Sequence, residues 1–402
     1  MMKSRDLYLN QLREFKDKPL IKVITGIRRC GKSSLLSLYK EDLIKSGAKA
    51  DQVIFINFEA MEFDELKTYK ELYAFIKAKI ATVTEKTYLL LDEVQEVTGW
   101  EKAINSFLVD SNVDIYITGS NAYLLSSELS TYLSGRYVEI KMQPLSFKEY
   151  LYFIEDYQPS DIAALFQEYL QYGGLPTIVE LKDHPSTIGP FLTGVYNTVL
   201  LKDVVQRNNV RDAALLESVL KFVAANIGST ISTKKISDYL TSSGRKTTSE
   251  TIDNYLKMLE NAFIIYRASR FDLKGKLFLK TLEKYYIVDT GIRNQLTGLR
   301  NTDYGHMLEN IVYFELLRRG YDVSVGKIGS LEVDFVATKS DKKTYYQVSA
   351  TIMNEETRLR ELRPLQAIPD YYEKVVLTMD QSIYEDFEGI RSMNIIDFLL
   401  SD

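Results

Sequence analysis

The segment that most constrains this chain runs from residue 26 to residue 33. A short apolar run at residues 21–24 precedes it, and residues 33–44 after it carry apolar side chains at helical spacing. A GxxxxGKS loop between a strand and a helix predicts that backbone N–H groups face phosphate oxygens, with the helix N-terminus adding positive potential. The predicted nucleotide-binding residues are Gly26, Ile27, Arg28, Arg29, Cys30, Gly31, Lys32, Ser33 and Ser34.

Three side chains of this loop suggest specific chemistry. Lys32 is expected to reach the β- and γ-phosphates, and the Ser33 hydroxyl is expected to bind Mg²⁺. ATP and Mg²⁺ are therefore the predicted cofactors. Cys30 lies near Lys32 and a helix start, which could lower the pKa of its thiol and make it redox-active. The alternative is a small residue tolerated in a loop.

A second strand end carries two carboxylates. Residues 88–91 are apolar, and Asp92 and Glu93 follow them directly. Asp92 is expected to hold Mg²⁺ through water, and Glu93 to polarise the attacking water. The alternative is a strand that ends in ordinary surface acids.

A third strand, at residues 114–118, leads into Gly119, Ser120 and Asn121. Ser120 or Asn121 would lie near the γ-phosphate and report its presence; the alternative is an ordinary strand end. Apolar runs that alternate with helices over the first 140 residues predict a parallel sheet covered by helices on both faces.

Composition excludes several classes of protein. The chain has 402 residues, 45% of them hydrophobic, which fits two to four globular domains. One cysteine excludes an internal disulfide and a cysteine-based zinc site, and two histidines argue against a multi-histidine metal site. The net charge of −5 argues against indiscriminate coating of nucleic acid. Without a signal peptide or a long apolar segment, we expect a cytoplasmic protein with no membrane contact.

The rest of the chain predicts three further parts. The nucleotide-binding core covers residues 1–143, a helical extension 144–207, a winged-helix domain 208–295 and an α/β domain 296–402. The hairpin of the winged helix is rich in bases, which suggests a DNA footprint. The alternative is a packing unit between domains, since the candidate recognition helix exposes acids. The candidate DNA-binding residues are Arg267, Arg270, Lys274, Lys276 and Lys280.

The nucleotide motifs together resemble the AAA+ class of P-loop ATPases. Further segments, at residues 89–95, 118–120, 134–136, 144–150, 173–176 and 286–291, resemble a bacterial and archaeal family of predicted ATPases. In that family an AAA+-like domain is joined to a C-terminal domain of unknown function. The resemblance implies catalytic roles for Lys32, Glu93 and Ser120, and it makes Arg136 a candidate arginine finger or sensor. The competing interpretation of Arg136 is a surface arginine.

The C-terminal part resembles the PD-(D/E)xK restriction-endonuclease-like fold. Glu309, Asp334 and Gln347 follow its helix–strand–strand order. Gln347 stands where that pattern has a carboxylate, and Ser349 where it has the lysine. A degenerate fold used for binding or assembly is therefore favoured over an active metal-dependent nuclease.

Together, these features predict hydrolysis of ATP to ADP and phosphate. Hydrolysis is expected to drive or gate a rearrangement of the C-terminal parts, and one version of this hypothesis places the rearrangement on DNA. A slow nucleotide switch in signalling and a DNA nuclease are the alternatives. A protein partner or a homo-oligomer is also expected, because an arginine finger in trans requires neighbouring subunits.

Overall fold

The computed structural model describes residues 3–120, 135–299, 303–381 and 386–401, without the side chains of Lys280 and Thr281. Packing divides the chain into a first unit, residues 1–143 with 261–263, and a second unit, residues 144–260 with 264–402. The sequence places the end of the nucleotide-binding core at the same residue, 143.

The first unit is built on a parallel sheet. Its described strands lie in the order β2-β3-β4-β1-β5, and every neighbouring pair is parallel. The inner strands are buried along nearly their whole length, which explains their continuous apolar runs. The strands are β1 Ile21–Thr25, β2 Val53–Asn57, β3 Thr87–Asp92, β4 Val113–Gly119 and β5 Tyr137–Lys141.

Helices cover this sheet. The described helices of the first unit are α1 Asp6–Glu14, α2 Lys32–Lys45, α3 Tyr69–Ile80 and α4 Trp100–Asp110. α2 begins at Lys32, directly after the loop, and buries Leu35, Leu36, Tyr39 and Leu43 as its spacing predicts. Periodicity did not predict α1, α4 or β5. β5 is an edge strand with one buried residue, Ile140, so it lacks the apolar run of an inner strand.

The second unit begins with helices. Residues 144–207 form α5 Phe147–Phe153, α6 Ile162–Tyr172, α7 Pro176–Leu181, α8 Pro185–Thr198 and a π-helix at Val199–Gln206. Ser146 starts α5 with a capping box: its hydroxyl oxygen accepts a hydrogen bond from the Glu149 backbone N–H, and the Glu149 carboxylate accepts one from the Ser146 backbone N–H. Three further helices follow: α9 Ala213–Ala225, α10 Thr233–Ser242 and α11 Ser249–Asn261.

One sheet then runs through the parts that the sequence assigns to separate domains. Its described strands lie in the order β13-β14-β12-β11-β10-β9-β7-β8-β6. The hairpin β7–β8 of the predicted winged helix joins the C-terminal strands because β7 pairs in parallel with β9. The predicted boundary at residue 295 therefore cuts across a continuous sheet. The strands are β6 Thr230–Ile231, β7 Ile265–Asp272, β8 Leu277–Ile287, β9 Asp322–Ile328, β10 Leu331–Lys339, β11 Lys342–Ser349, β12 Glu373–Thr378, β13 Asp386–Phe387 and β14 Ile390–Asn394.

The remaining helices pack around this sheet. They are α12 Thr290–Thr297, α13 Tyr304–Arg318, α14 Glu355–Gln366 and α15 Ile395–Leu400. α13 is buried on almost every side over residues 307–316. None of the helices in the described ranges combines the length and the apolar character needed to cross a membrane.

A buried polar network connects β1 with β4 in the first unit. Lys22 donates to Asp114, and both side chains are almost fully buried. Asp114 also accepts hydrogen bonds from the Asp17 backbone at 2.9 Å and from the Tyr116 hydroxyl at 2.8 Å. Burial lowers the pKa of Lys22 below its ordinary value, although Asp114 opposes this shift. The loss of one partner would leave the other charge buried and uncompensated.

We therefore expect Asp114→Asn to lower the free energy of unfolding of the first unit by about 3 kcal/mol. The double variant Lys22→Met with Asp114→Asn is expected to lose less, because no unpaired charge remains. The single tryptophan, Trp100, is buried in the core of this unit, so urea unfolding followed by its fluorescence reports the change. A single variant that unfolds at the wild-type urea concentration would contradict the role of the pair.

Candidate functional site

The loop between β1 and α2 has the backbone shape needed to wrap around an anion. Gly26, Arg29 and Gly31 have positive φ angles of 145°, 67° and 104°. A Cβ atom at Gly26 would lie 2.1 Å from the carbonyl oxygen of Met142, so only glycine fits there. The first glycine of the motif is thus required by packing against the segment after β5.

Lys32 points into this loop. Its Nζ donates to the carbonyl oxygens of Gly26 at 3.0 Å and Ile27 at 3.2 Å, and it lies 3.9 Å from Glu93 Oε1. The side chain is buried, so its charge acts in a region of low dielectric constant. Carbonyl dipoles and one carboxylate at 3.9 Å are weaker partners than a phosphate group.

Asp92 lies at the carboxyl end of β3, and its side chain is fully buried. Oδ1 accepts a hydrogen bond from Thr118 Oγ1 at 2.6 Å, and the carboxylate also interacts with the Ser33 side chain. Oδ2 is buried with no hydrogen-bond partner among the described residues. Burial raises the pKa of Asp92, although the hydrogen bonds from Thr118 and Ser33 oppose this shift. An available carboxylate oxygen beside a serine hydroxyl fits Mg²⁺, which prefers oxygen ligands.

Glu93 adopts a left-handed backbone conformation, with φ of 55°. For a side chain of this size the conformation is strained, by about 1–3 kcal/mol, and such strain is concentrated at functional sites. The Glu93 backbone N–H donates to Thr118 Oγ1 at 2.9 Å, and its carboxylate accepts a hydrogen bond from Gln95 Nε2. The turn thus presents the carboxylate to Lys32.

The structure describes the chain after β4 only as far as Ser120, and then again from residue 135. Ser120 is buried, and its hydroxyl has no partner in the part of the chain that the structure describes. Asn121 lies outside the described residues. The role of Ser120 in sensing phosphate therefore stays a prediction.

Three side chains of this site were not predicted from the sequence. Thr118 contacts both acidic residues, and its position as a polar residue directly after the apolar run at residues 115–117 could have identified it. Gln95 falls in a segment that carries the family resemblance, but no spacing rule predicts its contact with Glu93. Arg5 is buried and donates to the carbonyl oxygens of Cys30 at 3.1 Å and Gln143 at 2.7 Å. It therefore connects the backbone of the loop with the segment after β5.

The structure favours the interpretation of Cys30 as a small residue packed in the loop over redox chemistry. The thiol is fully buried, and burial raises its pKa, although the charges of Lys32 and Arg5 oppose this shift. A neutral, inaccessible thiol is a poor nucleophile. Of the other loop residues, Arg28 lies 3.4 Å from Glu59, while Ser33 and Ser34 are exposed at the helix start.

Arg136 lies outside its own nucleotide site. Its carbonyl oxygen accepts a hydrogen bond from the Ile21 backbone at 2.9 Å, at the amino end of β1, while the loop follows the carboxyl end of that strand. The 5 residues of β1 span about 16 Å, which is longer than an arginine side chain. Arg136 is exposed, so a role as arginine finger requires the site of a neighbouring subunit.

The residues predicted from the nuclease resemblance come together in the second unit. Glu309 on α13, Asp334 on β10 and Gln347 on β11 line one cavity. Gln347 Oε1 accepts from the Asp334 backbone at 3.3 Å, and its Nε2 donates to Glu361 at 3.1 Å. No group of three or more His, Cys, Asp or Glu side chains in the described ranges is arranged to hold a metal ion. The absence of such a group among the described residues does not support metal binding by Glu309 and Asp334.

A lysine lies at the centre of this cavity. Lys284 Nζ is 2.8 Å from Glu309 Oε1 and 3.4 Å from Asp334 Oδ1. Burial alone would lower the pKa of Lys284, but the surrounding carboxylates raise it above its ordinary value. Burial and the charge of Glu309 raise the pKa of Asp334 to about 7. Glu309 is also buried, but Lys284 holds the pKa of Glu309 below its ordinary value.

The predicted DNA-binding bases do not form one exposed patch. Lys274 and Lys276 are exposed at the hairpin turn, and the side chain of Lys280 lies outside the described residues. Arg267 is exposed but forms ion pairs at 3.6 and 3.3 Å with one carboxylate of α11 and one of β8. Arg270 is buried, with Nη2 3.8 Å from Glu332, so the structure does not support it as a DNA contact.

Two family models match parts of this chain. Residues 18–151 match a family described as an AAA domain, and residues 163–303 match one described as a domain of unknown function, DUF8612. The structure of a Walker-type ATPase of Pyrococcus abyssi is 17% identical, with a TM-score of 0.50, and the match covers 73% of this chain and 96% of that one. This likeness shows the P-loop ATPase fold.

Two relatives match over most of their length. An uncharacterised protein of Haemophilus influenzae is 44% identical over 402 residues, covering 99% of each chain. An uncharacterised protein of Methanocaldococcus jannaschii is 31% identical over 367 residues, covering 87% of this chain and 79% of that protein. The chain therefore belongs to the family of these bacterial and archaeal proteins, and its N-terminal part is an AAA-type P-loop ATPase domain.

Proposed function

We propose that this protein hydrolyses ATP to ADP and phosphate with Mg²⁺, using Lys32, Ser33, Asp92 and Glu93. The observation that carries the proposal is the joining of two acidic residues to the phosphate-binding loop. Asp92 interacts with Ser33, and Glu93 Oε1 lies 3.9 Å from Lys32 Nζ. A buried carboxylate that holds the metal and a second one that faces the phosphate lysine are the parts that phosphoryl transfer to water requires.

The mechanism follows from these contacts. The backbone N–H groups of the loop bind the phosphates, and Lys32 exchanges its two carbonyl partners for phosphate oxygens. Ser33 and Asp92 would hold Mg²⁺, which supplies charge stabilisation on the β- and γ-phosphates. Glu93 accepts a proton from water as the water oxygen forms a bond to the γ-phosphorus. The bond from that phosphorus to the β–γ bridging oxygen breaks, and ADP leaves with the electron pair.

The other functions considered have less support. Arg267 and Arg270 of the predicted DNA footprint are paired with carboxylates. Among the described side chains of the footprint, this leaves Lys274 and Lys276 exposed. Two lysines at a hairpin turn are weak support for DNA binding. The described carboxylates of the C-terminal cavity are not arranged to hold a metal ion, so a metal-dependent nuclease has less support. Rearrangement of the C-terminal parts on ATP turnover stays a prediction. It is tested by comparing limited proteolysis of the chain in ATP and in ADP.

Substitutions in the loop and at Glu93 separate binding from turnover. Lys32→Ala is expected to abolish ATP binding, because the charge facing the phosphates is lost. Glu93→Gln is expected to bind ATP with an affinity within a few-fold of wild type and to hydrolyse it at least 100-fold more slowly, since general-base catalysis contributes about 10²–10⁴-fold. Fluorescent-nucleotide titration and single-turnover hydrolysis measure the two quantities.

The same measurements discriminate between the alternatives. Hydrolysis by Glu93→Gln at the wild-type rate would overturn the assignment of the base. A wild-type single turnover that takes minutes, followed by slow release of ADP, would identify a slow nucleotide switch rather than an enzyme that hydrolyses ATP continuously.

Thr118 is expected to act on turnover through both acidic residues. Thr118→Val keeps the shape of the side chain but removes the hydrogen bonds to Asp92 and to the Glu93 backbone. At about 1 kcal/mol or more for each bond, kcat is expected to fall about 10- to 100-fold. KM for ATP changes little, and Thr118→Ser restores the rate. A Thr118→Ser enzyme as slow as Thr118→Val would refute this role.

Arg136 provides a test of assembly. Arg136→Ala is expected to be inactive because no finger reaches the neighbouring site, and Glu93→Gln is inactive for lack of a base. A mixture of the two chains forms some sites with Glu93 from one chain and Arg136 from the other, so ATPase activity is expected to recover in part. Wild-type activity of Arg136→Ala, or no recovery on mixing although the measured mass shows mixed oligomers, would exclude the finger.

A further inference from the structure

A cavity of about 890 Å³ in the second unit brings together acidic side chains from α13, β10 and α14. Glu309, Glu332 and Asp334 surround one point, and Glu361 lies on the adjoining wall. Glu309 and Asp334 are buried, and buried carboxylates held close together require a cation, because their charges repel each other strongly at low dielectric constant.

The cation at that point belongs to the chain itself. Lys284 Nζ lies 2.8 Å from Glu309 Oε1, 2.9 Å from Glu332 Oε1 and 3.4 Å from Asp334 Oδ1. Only 2% of Lys284 is exposed, so the ammonium group is held by the carboxylates rather than by solvent. Three carboxylate oxygens thus surround the ammonium group at the distances of charge-assisted hydrogen bonds and ion pairs.

The strand is shaped to place this lysine inside. Ala268 pairs with Lys284, whereas Arg270, two residues further on, pairs with Leu279. Residues 280–283 therefore form a bulge in β8 next to Lys284, and Leu282 in this bulge has a left-handed φ of 64°. Bulges re-aim side chains next to functional sites, and a leucine in this conformation is unusual.

We propose that the Lys284 ammonium is the resident cation of this carboxylate cluster and excludes divalent metal ions from it. A divalent ion bound to the same oxygens would lie against a buried ammonium group, and repulsion between the two cations opposes its entry. The cavity is then a metal-free polar pocket, not the metal centre of a nuclease. Removal of the lysine charge would leave three neighbouring carboxylates whose repulsion a divalent cation relieves.

The experiment measures Mn²⁺ binding by electron paramagnetic resonance on the full chain without nucleotide. Every protein carries Asp92→Asn, so that the P-loop contributes no site. We expect no difference between this background and the same chain with Asp334→Asn. Lys284→Met is expected to bind Mn²⁺ at least tenfold more tightly than the background, and Lys284→Met with Asp334→Asn is expected to lose that gain.

Two control variants separate charge from folding. Lys284→Arg keeps a cation and is expected to gain no Mn²⁺ site, and Lys276→Met removes an exposed lysine of the same hairpin without effect. If Lys284→Met is unstable, its melting temperature is expected to rise with Mn²⁺, while those of the background and Lys284→Arg do not. Asp334-dependent Mn²⁺ binding with Lys284 present, or no gain in binding or melting temperature with Lys284→Met, would overturn the proposal.

Discussion

The hydrogen bond of 2.6 Å from Thr118 Oγ1 to Asp92 Oδ1 ties together the ends of β3 and β4. The same hydroxyl accepts from the Glu93 backbone at 2.9 Å, so one side chain positions both acidic residues. Asp92 in turn contacts Ser33 at the start of α2. The phosphate loop, the residue suited to hold the metal and the candidate base therefore form one connected set of contacts. A shift of any one strand end would move the others.

The sequence could predict this site because its main constraint is local. Gly26 and Gly31 both adopt positive φ angles, and Lys32 follows Gly31 directly, so spacing alone identifies the loop. β3 was predictable for a related reason, since a strand buried on both faces is apolar throughout. Gln95 was not predictable, because its contact with Glu93 depends on the turn after β3 rather than on a repeat.

The second unit shows where sequence patterns fail. From the sequence alone, Lys284 is interpreted as one more basic residue of the basic hairpin. The bulge at residues 280–283 changes the register, and the side chain then lies among carboxylates that follow it by 25 to 50 residues along the chain. Likewise, parallel pairing of β7 with β9 joins segments that composition separates. Register and strand order are long-range properties, so no local pattern specifies them.

Lys32 and Lys284 are both buried, but they differ in what can displace their partners. Lys32 is held by two carbonyl dipoles and by one carboxylate at 3.9 Å, and a polyphosphate offers it more charge at shorter distance. Lys284 is held by three carboxylates at 2.8 to 3.4 Å, and no anionic ligand improves on that without adding to the repulsion among them. The same residue type therefore provides an exchangeable cation in the first unit and a fixed cation in the second. The number and distance of the carboxylates around each ammonium group decide between these roles. We therefore expect Lys32 to change its partners when a ligand binds, and we expect Lys284 to keep its position.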